Sequence, residues 1–161
     1  YREAYGLYAC SGLLFNHESP LRPERFVTRK VVVAACRIAA GNKEKLHLGN
    51  IDIQRDWGWA PDFVEAMWCM LQQEAPDDYV IATGESRTLE SFVDNVFSQL
   101  GLKWQSYVDI DPTFLRPSEI AHSAGSPVKA MKKLGWKATV TFQEMIANLV
   151  DAERGILALK P

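Results

Sequence analysis

The chain has 161 residues, 47% of them hydrophobic and 24% charged, which suits a globular fold with one sizeable core or one domain and part of another. A formal net charge of −2 argues against nonspecific grip on nucleic acid or anionic membrane, and no apolar run approaches the roughly 20 residues of a membrane helix. Cys10, Cys36 and Cys69 sit singly in apolar stretches with no Cys-x-x-Cys, which reads as reduced structural thiols in a cytoplasmic protein.

Tyr1–Tyr5 reads as the last turn of a helix closed by Gly6. A sequence that opens on a helix end, without methionine or a signal-peptide pattern, leads to the expectation that other residues precede it. Leu7–Phe15 is almost wholly apolar and is expected as a strand buried on both faces, as in a parallel sheet. Asn16–Arg25, broken by Pro20 and Pro23, is expected as loop. Helix is predicted from Phe26 to Ala40, then a short extended piece over Lys45–Leu48. The next helix begins near Pro61, with Phe63, Val64, Met67, Trp68 and Leu71 as its apolar face.

Asp78–Thr83 is a second expected buried strand. Thr88 caps a helix whose face is Leu89, Phe92, Val93, Val96, Phe97 and Leu100, with Gly101 as its stop. Ser106–Asp109 is expected as a short strand, and Ser126-Pro127 opens a short helix that ends at Gly135. Thr141-Phe142-Gln143-Glu144 is a complete capping box, with Phe142, Met145, Ile146, Leu149 and Val150 behind it. Helices between apolar strands imply α/β. Two strands cannot make a stable parallel sheet alone, so a larger sheet is expected elsewhere.

The ten glycines include no Gly-x-Gly or Gly-x-x-Gly, so there is no dinucleotide fingerprint or phosphate-cradling loop. No tyrosine is followed four residues later by lysine. His17, His47 and His122 have no metal-site spacing. What remains are polar groups at the ends of apolar elements. Asn16-His17-Glu18 follows the first strand, where ligands bind in open α/β sheets, although position alone suits a solvated loop equally well. Lys30 lies early in the following helix, Arg55 beside Asp56 and Trp57, and Arg116 in Arg116-Pro117-Ser118-Glu119. Each is ordinarily a surface charge. Together with Asn16, these three cations could neutralise a diphosphate, though spacing does not show that they converge.

Several segments in order resemble the GDP-mannose 4,6-dehydratases, which are extended short-chain dehydrogenases/reductases. They include Tyr1-Arg2-Glu3-Ala4-Tyr5-Gly6, Leu14-Phe15-Asn16-His17-Glu18-Ser19-Pro20, Val27-Thr28-Arg29-Lys30 and Leu48-Gly49-Asn50. Arg55-Asp56-Trp57-Gly58, Glu65-Ala66-Met67-Trp68, Ala82-Thr83-Gly84-Glu85, Arg116-Pro117-Ser118-Glu119 and Lys133-Leu134-Gly135-Trp136 continue the match over nearly the whole chain. The resemblance implies the C-terminal portion of such an enzyme, comprising the last strands of a Rossmann sheet and the small α/β substrate-binding domain. It divides the chain into a Rossmann remnant, residues 1–16 and 60–83 (two strands and a helix), and a nucleotide-sugar-binding domain, residues 17–59 and 84–161.

The family converts GDP-D-mannose to GDP-4-keto-6-deoxy-D-mannose with tightly bound NADP. By resemblance, Asn16, Lys30, Arg55 and Arg116 contact the diphosphate region, Gly49 lines the nucleotide, and Glu119 holds ribose hydroxyls. His17 and Arg22 resemble positions that touch NADP. The family's catalytic threonine, glutamate, tyrosine and lysine lie upstream of Tyr1 by this reading. The chain alone is therefore expected to be inactive and to retain no NADP, with GDP-mannose or GDP, the N-terminal Rossmann part and a second copy of itself as partners.

Some positions depart from the family pattern. Leu21-Arg22-Pro23 replaces the usual Arg-Arg-Gly, Ala121 stands where Asp is expected, and Gly125-Ser126 replaces Gly-Asp. Three readings stay open at the level of sequence: part of a working dehydratase, a non-catalytic GDP-sugar-binding module, or an assembly remnant with an open sheet edge.

Overall fold

The C-terminal helix illustrates how local signals set the elements. Thr141 Oγ1 accepts from the Glu144 amide, and the Glu144 carboxylate accepts from the Thr141 amide, which satisfies two orphan donors at the helix start. The structure, a computed structural model, describes residues 1–114 and 118–159. In chain order its first elements are α1 (Arg2–Tyr5), β1 (Ser11–Leu14), β2 (Asn16–Glu18), α2 (Val27–Ala39), β3 (Leu46–Leu48) and β4 (Gln54–Trp59). There follow α3 (Ala60–Leu71), β5 (Asp78–Ile81), β6 (Ser86–Thr88), α4 (Leu89–Gln99), β7 (Val108–Ile110), α5 (Val128–Leu134) and α6 (Phe142–Ala158). Short 3₁₀ turns occupy Trp104–Ser106 and Pro112–Phe114. Thr88 caps α4 by accepting from the Ser91 amide at 3.0 Å, and Gly135 ends α5 at φ 66, a left-handed backbone that glycine adopts without strain.

The strands form three small sheets. β1 and β5 pair in parallel, from Ser11 opposite Asp78 to Leu14 opposite Ile81. β4 lies between β2, parallel to it, and β6, antiparallel. β3 pairs in parallel with β7. The expected strand Leu7–Phe15 is thus shorter, and it is not buried on both faces: Leu7, Tyr8 and Leu13 are half-exposed. Within this chain β1 has a partner on one edge only, among the described residues, and α3 covers only the face carrying Gly12 and Leu14. Asn16–Arg25, expected as loop, begins with the three-residue strand β2. β4 and β6 also escape a periodicity reading, because Gln54–Trp59 and Ser86–Thr88 carry polar residues that other parts of the fold satisfy. Asp56 is fully buried and accepts from the Thr83 amide, the Thr83 hydroxyl and the Gly84 amide at 2.8–2.9 Å.

Two cores result. The larger joins α2, α4 and α6 around Trp57, Phe92 and Phe142, whose rings lie 5.5–6.4 Å apart. All five residues expected behind the capping box are buried there. The smaller core joins α3 and β5 to Ala130 of α5 and to Trp136. In α3 the buried apolar residues are Phe63, Ala66 and Met70, whereas Val64, Met67, Trp68 and Leu71 of the expected face are exposed. The helix carries two apolar stripes, and only the one turned to β1 and β5 is covered. Asp62 ties the two cores: it accepts from the Thr139 amide and hydroxyl and from the Val140 amide at 2.8–3.0 Å, while its carbonyl accepts from Trp136 Nε1.

Candidate functional site

The strand β2 sets the site, because successive side chains point to opposite faces. Asn16 and Glu18 line a cleft of about 780 Å³, a size that suits a small-molecule ligand. His17 turns the other way, stacking on Phe63 at 5.0 Å with its Nδ1 2.8 Å from the Phe15 carbonyl. The first turn of α2 brings Thr28 and Lys30 to the cleft, the loop before it brings Arg22 and Arg25, and the end of β3 brings Gly49. β4 contributes Arg55 and the buried Trp57, and Glu119 closes the wall. The cleft therefore gathers Asn16, Arg22, Lys30, Gly49, Arg55 and Glu119, and leaves His17 outside its wall. Arg116 lies outside the described residues.

Each polar group has a definite setting. Lys30 Nζ donates to the His47 carbonyl at 2.6 Å and sits 4.8 Å above the Phe114 ring. Arg55 donates through Nη1 to the Gln54 and Ile120 carbonyls at 2.8 and 2.7 Å, and through Nη2 to Glu119 at 2.8 Å. Backbone bonds from Gln54 to Ala121 and from Ser123 to Gln54 fasten the segment after Glu119 to β4. Gly49 meets the turn Pro112–Phe114 so closely that a Cβ would lie 2.8 Å from the Phe114 carbonyl oxygen. Only glycine lets that turn close over the cleft there.

Among the described lining residues four cations, Arg22, Arg25, Lys30 and Arg55, face three carboxylates, Glu18, Glu24 and Glu119. Such a mixture can neutralise an anionic group while still accepting from hydroxyls. Burial raises the Glu18 pKa above its ordinary value, against the lowering effects of the Thr28 hydrogen bond and the Arg22 charge. Among the described residues no three of His, Cys, Asp and Glu gather to hold a metal ion, and no helix is long and apolar enough to cross a membrane. Reasoning from sequence misses Thr28, Trp57 and Phe114 as cleft residues. Glu18 is recoverable from the alternation Asn16-x-Glu18, once that piece is recognised as strand.

The sequence profile described as GDP-mannose 4,6 dehydratase matches residues 1–149. The chain belongs to the GDP-mannose 4,6-dehydratase family. It is 55% identical over 153 residues to the Arabidopsis thaliana GDP-mannose 4,6 dehydratase 2, covering 95% of this chain and 41% of that protein. To the Cricetulus griseus GDP-mannose 4,6 dehydratase it is 40% identical over 178 residues, covering 100% of this chain and 48% of that protein. The chain thus spans about half the length of the curated relatives it matches. Among solved structures, that of RMD from Pseudomonas aeruginosa complexed with NADPH superposes with a TM-score of 0.88 at 18% identity, over 96% of this chain and 51% of that one. A dTDP-glucose 4,6-dehydratase from Bacillus anthracis in complex with NAD gives 0.85, also at 18% identity, over 99% and 49%. The family member described here therefore has a mixed α/β fold of the kind found in extended short-chain dehydratases and epimerases, and covers about half of them.

Proposed function

We propose that this chain is the C-terminal, substrate-binding part of a GDP-mannose 4,6-dehydratase, a cytoplasmic lyase of nucleotide-sugar metabolism in its complete form. The observation that carries the reading is the single cleft in which Asn16, Lys30, Gly49, Arg55 and Glu119 meet. In this reading Lys30 and Arg55, with Arg116, hold the diphosphate of GDP-mannose. Lys30 exchanges the His47 carbonyl for a phosphate oxygen, and the guanidinium of Arg55 keeps one edge on Glu119. Glu119 retains its second carboxylate oxygen for ribose hydroxyls. The family's division of the chain, with residues 1–16 and 60–83 belonging to a Rossmann sheet and 17–59 and 84–161 to a sugar-nucleotide domain, is kept as part of the proposal.

NADP is the cofactor of the complete enzyme and supplies hydride chemistry when bound. The resemblance gives two residues of this chain to it. Arg22 fits a phosphate, because its guanidinium is held at the cleft wall by the His17 carbonyl at 2.9 Å. The ring of His17, bonded through Nδ1, has Nε2 to offer from the side of the smaller core. The rest of the cofactor grip and the acid and base groups are assigned to the other half of the relatives' length. No protonation step is assigned to a residue of this chain.

Calorimetry with GDP tests the substrate reading. GDP is expected to bind saturably, and Lys30→Ala to weaken it by about 1 kcal/mol, a modest figure because the ammonium is partly solvated. Equal affinities for the two proteins would remove Lys30 from the site.

A further inference from the structure

Glu18 is a cleft residue with one carboxylate oxygen that neither the fold nor the proposed ligand contacts account for. Its side chain is 1% exposed. One carboxylate oxygen, Oε2, accepts from Thr28 Oγ1 at 2.6 Å, tying β2 to α2. The other, Oε1, is buried with no hydrogen-bond partner. A neutral glutamine could keep the tie to Thr28 without burying a charge, so the carboxylate is a costly choice for structure alone. Costs of this kind gather where a charge has work to do.

The charged groups facing Glu18 are few. On its own strand His17 turns to the opposite face, and on α2 Thr28 is neutral. The loop between them carries Arg22, whose Nε lies 3.4 Å from Oε2 and is itself buried without a hydrogen bond. The Arg22 guanidinium is pinned on two further sides, by the His17 carbonyl on Nη1 and by the Phe26 ring 4.1 Å from Cζ. Nη2 donates to no protein acceptor among the described residues. A planar guanidinium recognises phosphate only when its plane is set, and here a carboxylate, a carbonyl and a ring set it.

We propose that Glu18 is a positioning residue that holds the Arg22 guanidinium in the cleft wall so that its free nitrogen meets a phosphate oxygen of the bound nucleotide. This rests on the reading of the cleft as the GDP site, and it gives Arg22, which shares that cleft, to a GDP phosphate in place of the NADP contact that the resemblance implies. The role belongs to the charge of Glu18 and not to its shape, because a glutamine whose carbonyl oxygen keeps the Thr28 hydrogen bond offers Arg22 a neutral oxygen in place of a carboxylate.

Calorimetry of the purified chain with inorganic pyrophosphate, GDP and guanosine tests the proposal on wild type, Glu18→Gln, Arg22→Ala and the double variant. Glu18→Gln and Arg22→Ala are each expected to weaken pyrophosphate and GDP roughly five- to tenfold, as for loss of one charge-assisted bond. The double variant should be no weaker than Arg22→Ala, guanosine should bind all four alike, and the thermal midpoint of Glu18→Gln at neutral pH should be no lower than wild type. The proposal is overturned if Glu18→Gln binds pyrophosphate like wild type, if the two losses multiply, or if its midpoint falls in step with affinity. Absence of pyrophosphate binding by wild type overturns it equally. Glu18-dependent pyrophosphate binding with no gain for GDP would sink the nucleotide reading and leave the positioning role standing.

Discussion

Glu18 carries a stability consequence separate from any ligand. Burial holds its folded-state pKa above the ordinary value of 4.5, so the folded chain binds the proton more tightly than the unfolded chain does. The sign follows: the carboxyl's favourable contribution is present below the unfolded value and is lost as pH rises through the folded one. Glu18→Gln has no proton to lose. Its stability relative to wild type is expected to rise as pH climbs from the ordinary glutamate value upward, read from urea midpoints across that range. A constant difference would mean that the carboxyl feels no net burial cost. Gly49→Ala makes the steric case, since its Cβ would sit against the Phe114 carbonyl and displace the turn Pro112–Phe114. GDP affinity is expected to fall with little change in global stability, because neither Gly49 nor the turn Pro112–Phe114 is part of either core; equal affinity would show that the turn can give way. Residue type and resemblance name Asn16, Lys30, Gly49, Arg55 and Glu119 as candidates. Their convergence on one cleft is set by long-range pairings such as Asn16 opposite Trp57, which no local spacing encodes.

At the scale of elements, the docking of α2 on α6 depends on a buried ion pair between Arg29 and Glu153, with Arg29 Nη1 otherwise unpartnered. Removing one member strands the other charge. Glu153→Ala is expected to cost about 3–5 kcal/mol, whereas replacing the pair together by Met and Leu should cost far less or stabilise, as chemical denaturation would measure. Similar costs for the single and double changes would contradict this account. The helices are the legible part of the chain, because caps and 3.6-residue spacing are local: Thr88, Thr141 and the faces of α4 and α6 all sit where their signals place them. The strands are less legible. β2, β4 and β6 carry polar residues whose partners are far away in sequence, as Asp56 is from Thr83 and Gly84. β1 misleads in the other direction, since its apolar run implies cover that this chain supplies on one face only.

For the whole molecule, β1 offers an unpaired outer edge among the described residues, flanked by the half-exposed Leu13. An open apolar edge recruits other chains. The chain alone is expected to self-associate at tens of micromolar, on the order used in scattering, and Leu13→Lys to suppress it by placing a charge on that strand. A clean monomer unaffected by the change would mean that the edge is covered. The chain alone is also expected to form no 4-keto-6-deoxy product from GDP-mannose with added NADP, since loss of a single acid or base typically removes about a factor of 100 to 10,000. The central claim is the proposal that this chain holds the GDP-sugar in its cleft. Its most direct test is a backbone-amide NMR titration with GDP-mannose. The account predicts saturable shifts confined to Asn16, Lys30, Gly49, Arg55, Glu119 and their neighbours in the cleft. Shifts that do not saturate, or that fall on the outer face of α3 with the cleft unmoved, would contradict it.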